Sequence, residues 1–150
     1  MSNWRPIVLN DLTAASVSGK VTIVRNAAAA RSLPDPMPPA IALVTQELRA
    51  AIGFSGKYTV DQDPTALPSG LLDLGIKKVV REMTRAVNLP LNPDEQSDER
   101  TFESRLEKIR TGNWPIDPAD NPVAVPQVQT SVVVPATKSR PRQFTRDTAY

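Results

Sequence analysis

Proline fixes φ near about −65° and carries no amide hydrogen, so helix interiors and central strands exclude it. This chain of 150 residues has 15 prolines. That is about twice the ordinary share, so their placement governs where regular structure can form. Four fall in the seven residues from Leu33 to Pro39, and six fall after Gly112. The first cluster imposes an extended break early in the chain. The second, with no glycine after Gly112, marks a change of character that divides the chain at that residue.

Between the breaks the apolar residues recur at helical spacing. Asn10 and Asp11 are caps for a short helix over Asp11 to Ala15, and Ser18 caps a second through Ser32. Pro39 suits the first position of a third helix. That helix runs to Ile52, with Ile41, Val44, Leu48 and Ile52 on one stripe and Gly53 beyond its end. Phe54 to Leu67 loses the pattern and reads as a loop with a β-like piece at Lys57 to Val60. Pro68 opens the strongest element, in which Leu72, Ile76, Val79, Val80, Met83 and Val87 share one face. Asn88 and Pro90 stop it. Gly75 weakens that helix by roughly 1 kcal/mol relative to Ala, which a close helix–helix approach would explain. A last helix is expected from Ser97 to Gly112, with Phe102, Leu106 and Ile109 inward.

The expected fold class is all-α: a small bundle of four to five helices over residues 1–112, with a long extended C-terminal arm over 113–150. A flexible linker is rich in Gly and Ser; this arm is rich in Pro and Val, so it reads as extended and semi-stiff. At about 3 Å per residue its 38 residues span on the order of 110 Å. Val128, Val132, Val133 and Val134 lie in a stretch of high β propensity that has no strand of its own to pair with, so it would add to another chain. Arg140, Arg142, Phe144 and Tyr150 combine cations with aromatics, a composition suited to an acidic or aromatic surface. These eight residues are the candidate contacts with a partner or a neighbouring copy. Trp114 is expected to pack on the helices where the arm departs.

The residue inventory limits the chemistry. There is no cysteine and no histidine, which removes disulfides, a thiolate nucleophile, an imidazole base and the common zinc ligand sets. No cofactor is implied, and an enzyme would have to work with carboxylates alone. Asp61 and Asp63 match the start of a calcium loop, but neither its glycine nor its closing glutamate follows; turn residues before Pro64 are the better reading. Glu99, Glu103 and Glu107 form an acidic row read as a solvated helix face. Lys77, Lys78, Arg81 and Arg85 form a basic stripe beside the core face of the main helix. It could face DNA, an acidic patch on a neighbouring subunit, or only water. The formal net charge of +2 argues against tight non-specific binding of nucleic acid over the whole surface. The opening MSNWRPIVLND lacks the apolar core of a signal peptide and no apolar run is long enough to cross a bilayer, so a soluble cytosolic protein with no membrane partner is expected.

The order of these features resembles a known family. WRPIVLNDL, an Ala-rich helix, a Pro-rich break, AIALVTQELRAAI, ALPSGLLDLGIKKVVRE and SRLEKIRTGNWPID follow one another as in the head–tail connector (adaptor, or head-completion) proteins of tailed bacteriophages, the Mu-like group in particular. The resemblance spans about Met1 to Pro118, and LPSGLL and LEKIRTGN are its most specific parts. It implies a virion structural protein, assembled in the host cytoplasm, that forms a ring with copies of itself, usually twelve, below the portal. It implies contact with the portal protein and with a tail or stopper protein, and DNA passing through the lumen without sequence-specific binding. On this reading the arm reaches the portal or a neighbour, and Lys77, Lys78, Arg81 and Arg85 take inter-subunit or lumen roles. The alternative is a small helical nucleic-acid-binding or regulatory protein acting through its basic C-terminal tail; a salt-dependent shift of a DNA fragment would distinguish it.

Overall fold

The computed structural model describes residues 2–14 and 16–124. In chain order these form β1 (Trp4–Pro6), α1 (Leu9–Leu12), α2 (Ser18–Ala30), α3 (Met37–Phe54), β2 (Ala66–Pro68), α4 (Leu72–Ala86) and α5 (Pro93–Arg110), with a 3₁₀ turn at Ser69–Leu71 leading into α4. The body is mostly helical, with five helices among the described residues and one small sheet. The Val128, Val132, Val133, Val134, Arg140, Arg142, Phe144 and Tyr150 positions lie outside the described residues.

α4 is the central element and packs against α2, α3 and α5, while α3 also meets α5. Val44, Leu48 and Ile52 of α3, Val79 and Met83 of α4, and Phe102, Leu106 and Ile109 of α5 are fully buried between them. The glycine in α4 marks where this packing is tightest. A Cβ at Gly75 would stand 3.2 Å from Ile7 Cδ1, 3.5 Å from Leu48 Cδ1 and 3.6 Å from Leu67 Cδ1. The close approach therefore involves α3, as the sequence suggests, and also Leu67 of β2 and Ile7 just after β1.

Several helix ends differ from expectation, each for a local reason. α3 starts two residues earlier than Pro39, because amides of a first turn have no helical acceptor and prolines there cost nothing; Asp35 Oδ1 accepts the Met37 N–H at 3.1 Å. It ends later as well, with the left-handed residue at Gly56 (φ 64°) rather than Gly53. α5 starts four residues before Ser97. Asn92 Oδ1 accepts the Glu95 N–H at 2.7 Å and Glu95 Oε2 accepts the Asn92 N–H at 2.8 Å, a reciprocal capping box with Pro93 behind it. α1 is one turn, and Asp11 closes it back onto the Val8 N–H at 2.9 Å instead of opening it.

The sheet was not expected. β1 and β2 pair antiparallel, with Trp4 opposite Pro68, Arg5 opposite Leu67 and Pro6 opposite Ala66. A two-stranded ribbon has only edges, so each proline can turn its missing donor outwards. The β-like piece at Lys57 to Val60 forms no strand.

The chain keeps contact with the body past Gly112. Gly112 (φ 73°) does end α5, but the chain stays on the body as far as Val123. Trp114 packs against the core as expected, with the Arg105 guanidinium 5.5 Å from its ring centre. Ile116 joins the core, and Asp117 O accepts the indole N–H of buried Trp4 at 2.9 Å. Asp120 accepts from Ser2 Oγ, Asn3 N and Trp4 N. The buried Asp61 carboxylate then accepts the Asn121 N–H at 2.7 Å and the Asp63 N–H at 2.9 Å. Gln62 N–H donates to Asn121 O, and Val123 N–H to Val60 O. An extended segment satisfies its backbone by pairing with a distant segment, which leaves no periodicity to read. Asp61→Ala is expected to unclasp residues 119–124 and to cost about 1–3 kcal/mol by orphaning two amides. Faster amide exchange at Asn121 and Val123, with α3 unchanged, would show it; unchanged exchange would refute the clasp.

Candidate functional site

Two features stand out on the body: an ionic cluster in the seam between α4 and α5, and an apolar groove along α3. The cluster arises because a short connection after α4 makes α5 its antiparallel neighbour. Lys78 Nζ donates to Glu99 Oε1 at 2.6 Å and lies 3.0 Å from Glu82 Oε1. Arg81 Nε donates to Glu99 Oε2 at 2.6 Å, and Arg85 Nη1 reaches both Glu82 Oε1 at 2.8 Å and Glu99 Oε1 at 3.2 Å. The Phe102 ring covers the cations, 4.8 Å from Lys78 Nζ and 5.8 Å from Arg81 Cζ, within the range of a favourable cation–π contact. Burial alone would push the Glu99 carboxyl up, but the hydrogen bonds and charges of Lys78 and Arg81 outweigh it and hold the group at about 2. The Arg85 guanidinium likewise titrates above its ordinary value, because Glu99 and Glu82 more than offset its partial burial. Glu47, on the facing side of α3, is pushed up by burial.

This arrangement splits the basic stripe. Lys78 is 5% exposed and Arg81 2%, so both side chains sit in the internal cluster rather than on the open surface of the subunit. Lys77 and Arg85 keep side chains 47% and 44% exposed. The reason is angular: on α4 the cations at 78 and 81 sit where α5 crosses, and Glu99 supplies the counter-charge. The acidic row divides in the same way. Glu99 is a seam residue, and Glu103 and Glu107 are exposed. The complementary charge of two helices joined by a short link was the available signal for this seam. Asp61 and Asp63 form successive side-chain turns, Asp63 Oδ1 taking the Thr65 N–H at 2.9 Å, in line with their reading as turn residues.

The groove, about 620 Å³, has Ile41, Ala42, Ala50 and Gly53 of α3 on one wall and Val60 and Pro64 on the other. Arg49 is its one charged side chain, and its guanidinium is occupied by Ala66 O at 2.8 Å and Asp61 O at 2.6 Å while it stacks 5.8 Å from the Trp4 ring centre. Thr45, also lining the groove, is buried, and its hydroxyl has no hydrogen-bond partner among the described residues. Beyond the end of the groove Phe54 stands 81% exposed, and Leu43 is exposed on the same helix. The surface is suited to holding an uncharged, apolar segment of polypeptide.

Among the described residues no group of three or more acidic side chains is placed to hold a metal ion, and no helix is long and apolar enough to cross a membrane. Comparison with protein-family models, with characterised proteins and with solved structures finds no match for this chain.

Proposed function

We propose that this protein is a structural head–tail adaptor of a tailed phage, assembling as a ring below the portal to join capsid to tail around the DNA channel. The observation that carries the reading is the apolar groove of α3, which lies beside the point where the described chain ends at Val123 and Ala124. Water disfavours such a surface, and an assembling subunit covers it with protein. On the opposite side of α3 the ionic seam ties α4 to α5, which suits a body that packs as a unit in a ring. Lys77 and Arg85 are the members of the basic stripe that remain available to a neighbour or to the lumen. The resemblance to connector proteins over Met1 to Pro118 supplies the identity of the assembly.

The test is truncation after Thr137 in an assembling particle, which removes Arg140, Arg142, Phe144 and Tyr150. The expected result is heads that fail to join tails and lose their DNA. Infectious, DNA-filled particles from the truncated protein would overturn the role of the arm.

A further inference from the structure

We propose that the α3 groove of one subunit receives the Val128–Val134 stretch of a second copy of the same chain. The inference deepens the adaptor reading and rests on it for the expectation that copies meet. Its first support is chemical match. The groove's only charge, on Arg49, is already engaged by two carbonyls. From Val123 to Thr137 the chain carries no charged residue, so neither surface desolvates an ion on contact. The unpartnered hydroxyl of Thr45 would gain a backbone partner from an extended segment, which presents an N–H or C=O at every residue.

Its second support is dimension. The groove follows α3 from Ile41 to Gly53, about 18 Å at the helical rise. Seven residues of extended chain span about 23 Å, so the stretch from Val128 to Val134 fills it. Alternation puts Val128, Val132 and Val134 on one side of that segment.

Its third support, which favours a second copy over the same one, is direction. Asn121 to Val123 runs antiparallel to residues 60–62, with Asp61 bridged to Pro122. The next residues therefore head past Val60 towards residue 59, away from Pro64 at the other end of the groove wall. The sequence places a proline at 126, and a proline disfavours helical backbone at the residue before it, which opposes an immediate turn back. A return to its own groove would need a reversal of that direction, whereas a neighbour's groove needs none.

The chain contains no cysteine, so introduced thiols are the only ones present. Full-length Ala50→Cys and Val132→Cys proteins are mixed and mildly oxidised. The expected result is a disulfide-linked heterodimer, lost when Ala42→Glu is added to the Ala50→Cys chain; both positions are exposed on α3, so the variants keep the fold. A chain carrying both cysteines that closes only on itself would show that the segment covers its own groove, and would overturn the proposal. So would no bond in either arrangement, or a heterodimer indifferent to Ala42→Glu. If these bonds fail while truncation after Thr137 still disconnects heads from tails, the groove assignment falls and the adaptor reading stands.

Discussion

Glu99→Ala is expected to remove on the order of 3–5 kcal/mol of folding stability, because it leaves buried cations without their counter-ion. Lys78 and Arg81 each place a hydrogen bond on this one carboxylate at 2.6 Å, and Arg85 adds a third contact. Glu82 can hold Lys78 and Arg85, but no bond from Arg81 reaches it. A domain of this size has about 5–15 kcal/mol in total, so the variant sits close to unfolding at room temperature. Urea denaturation followed by far-UV circular dichroism measures the effect, and a loss below about 1 kcal/mol would show that the cluster is dispensable. The same carboxylate predicts an acid limb. Its folded pKa is depressed from 4.5 to about 2, so its contribution, on the order of 3 kcal/mol, is fully present above pH 4.5 and is lost as pH falls towards 2. Glu99→Gln should flatten that limb, and an unchanged acid limb in the variant would contradict the assignment.

Phe102→Ala is expected to cost about 3–5 kcal/mol, by opening a cavity at a site with no exposed surface. The ring also roofs the two cations, so its loss admits water to Lys78 and Arg81. Phe102→Leu separates the two contributions. It refills most of the volume but removes the π face, and its cost should stay near 1–2 kcal/mol. In a double-mutant cycle with Glu99→Ala the two losses should be less than additive, since both act on the same buried charges. Strict additivity would mean that Phe102 is packing alone.

The amphipathic helices were legible in the residues because burial on a helix repeats locally. Ile41, Val44, Leu48 and Ile52, and Leu72, Val79, Val80 and Met83, announce α3 and α4 without any knowledge of what covers them. The core face of α5 was equally plain from Phe102, Leu106 and Ile109. The cap was misplaced, because Ser97 and Asn92 are both good caps and only the Asn92–Glu95 reciprocity separates them. The basic stripe was visible as a stripe, but its partition was not. Whether Lys78 faces water or Glu99 depends on the angle at which α5 crosses α4, and no property of α4 alone carries that angle.

What the sequence determined by itself is where helices can and cannot form, because proline and apolar period act through neighbours within a few residues. Only the tertiary structure decided that Trp4 pairs with Pro68, that Asp61 clasps Asn121, and that the body continues to Val123 rather than ending at Gly112. Those contacts join groups some 60 or more residues apart, most of them backbone to backbone, with the Asp61 carboxylate as the side-chain exception. Hydrogen bonds between extended segments ask little of the side chains, so the residues that make them are free to look like linker.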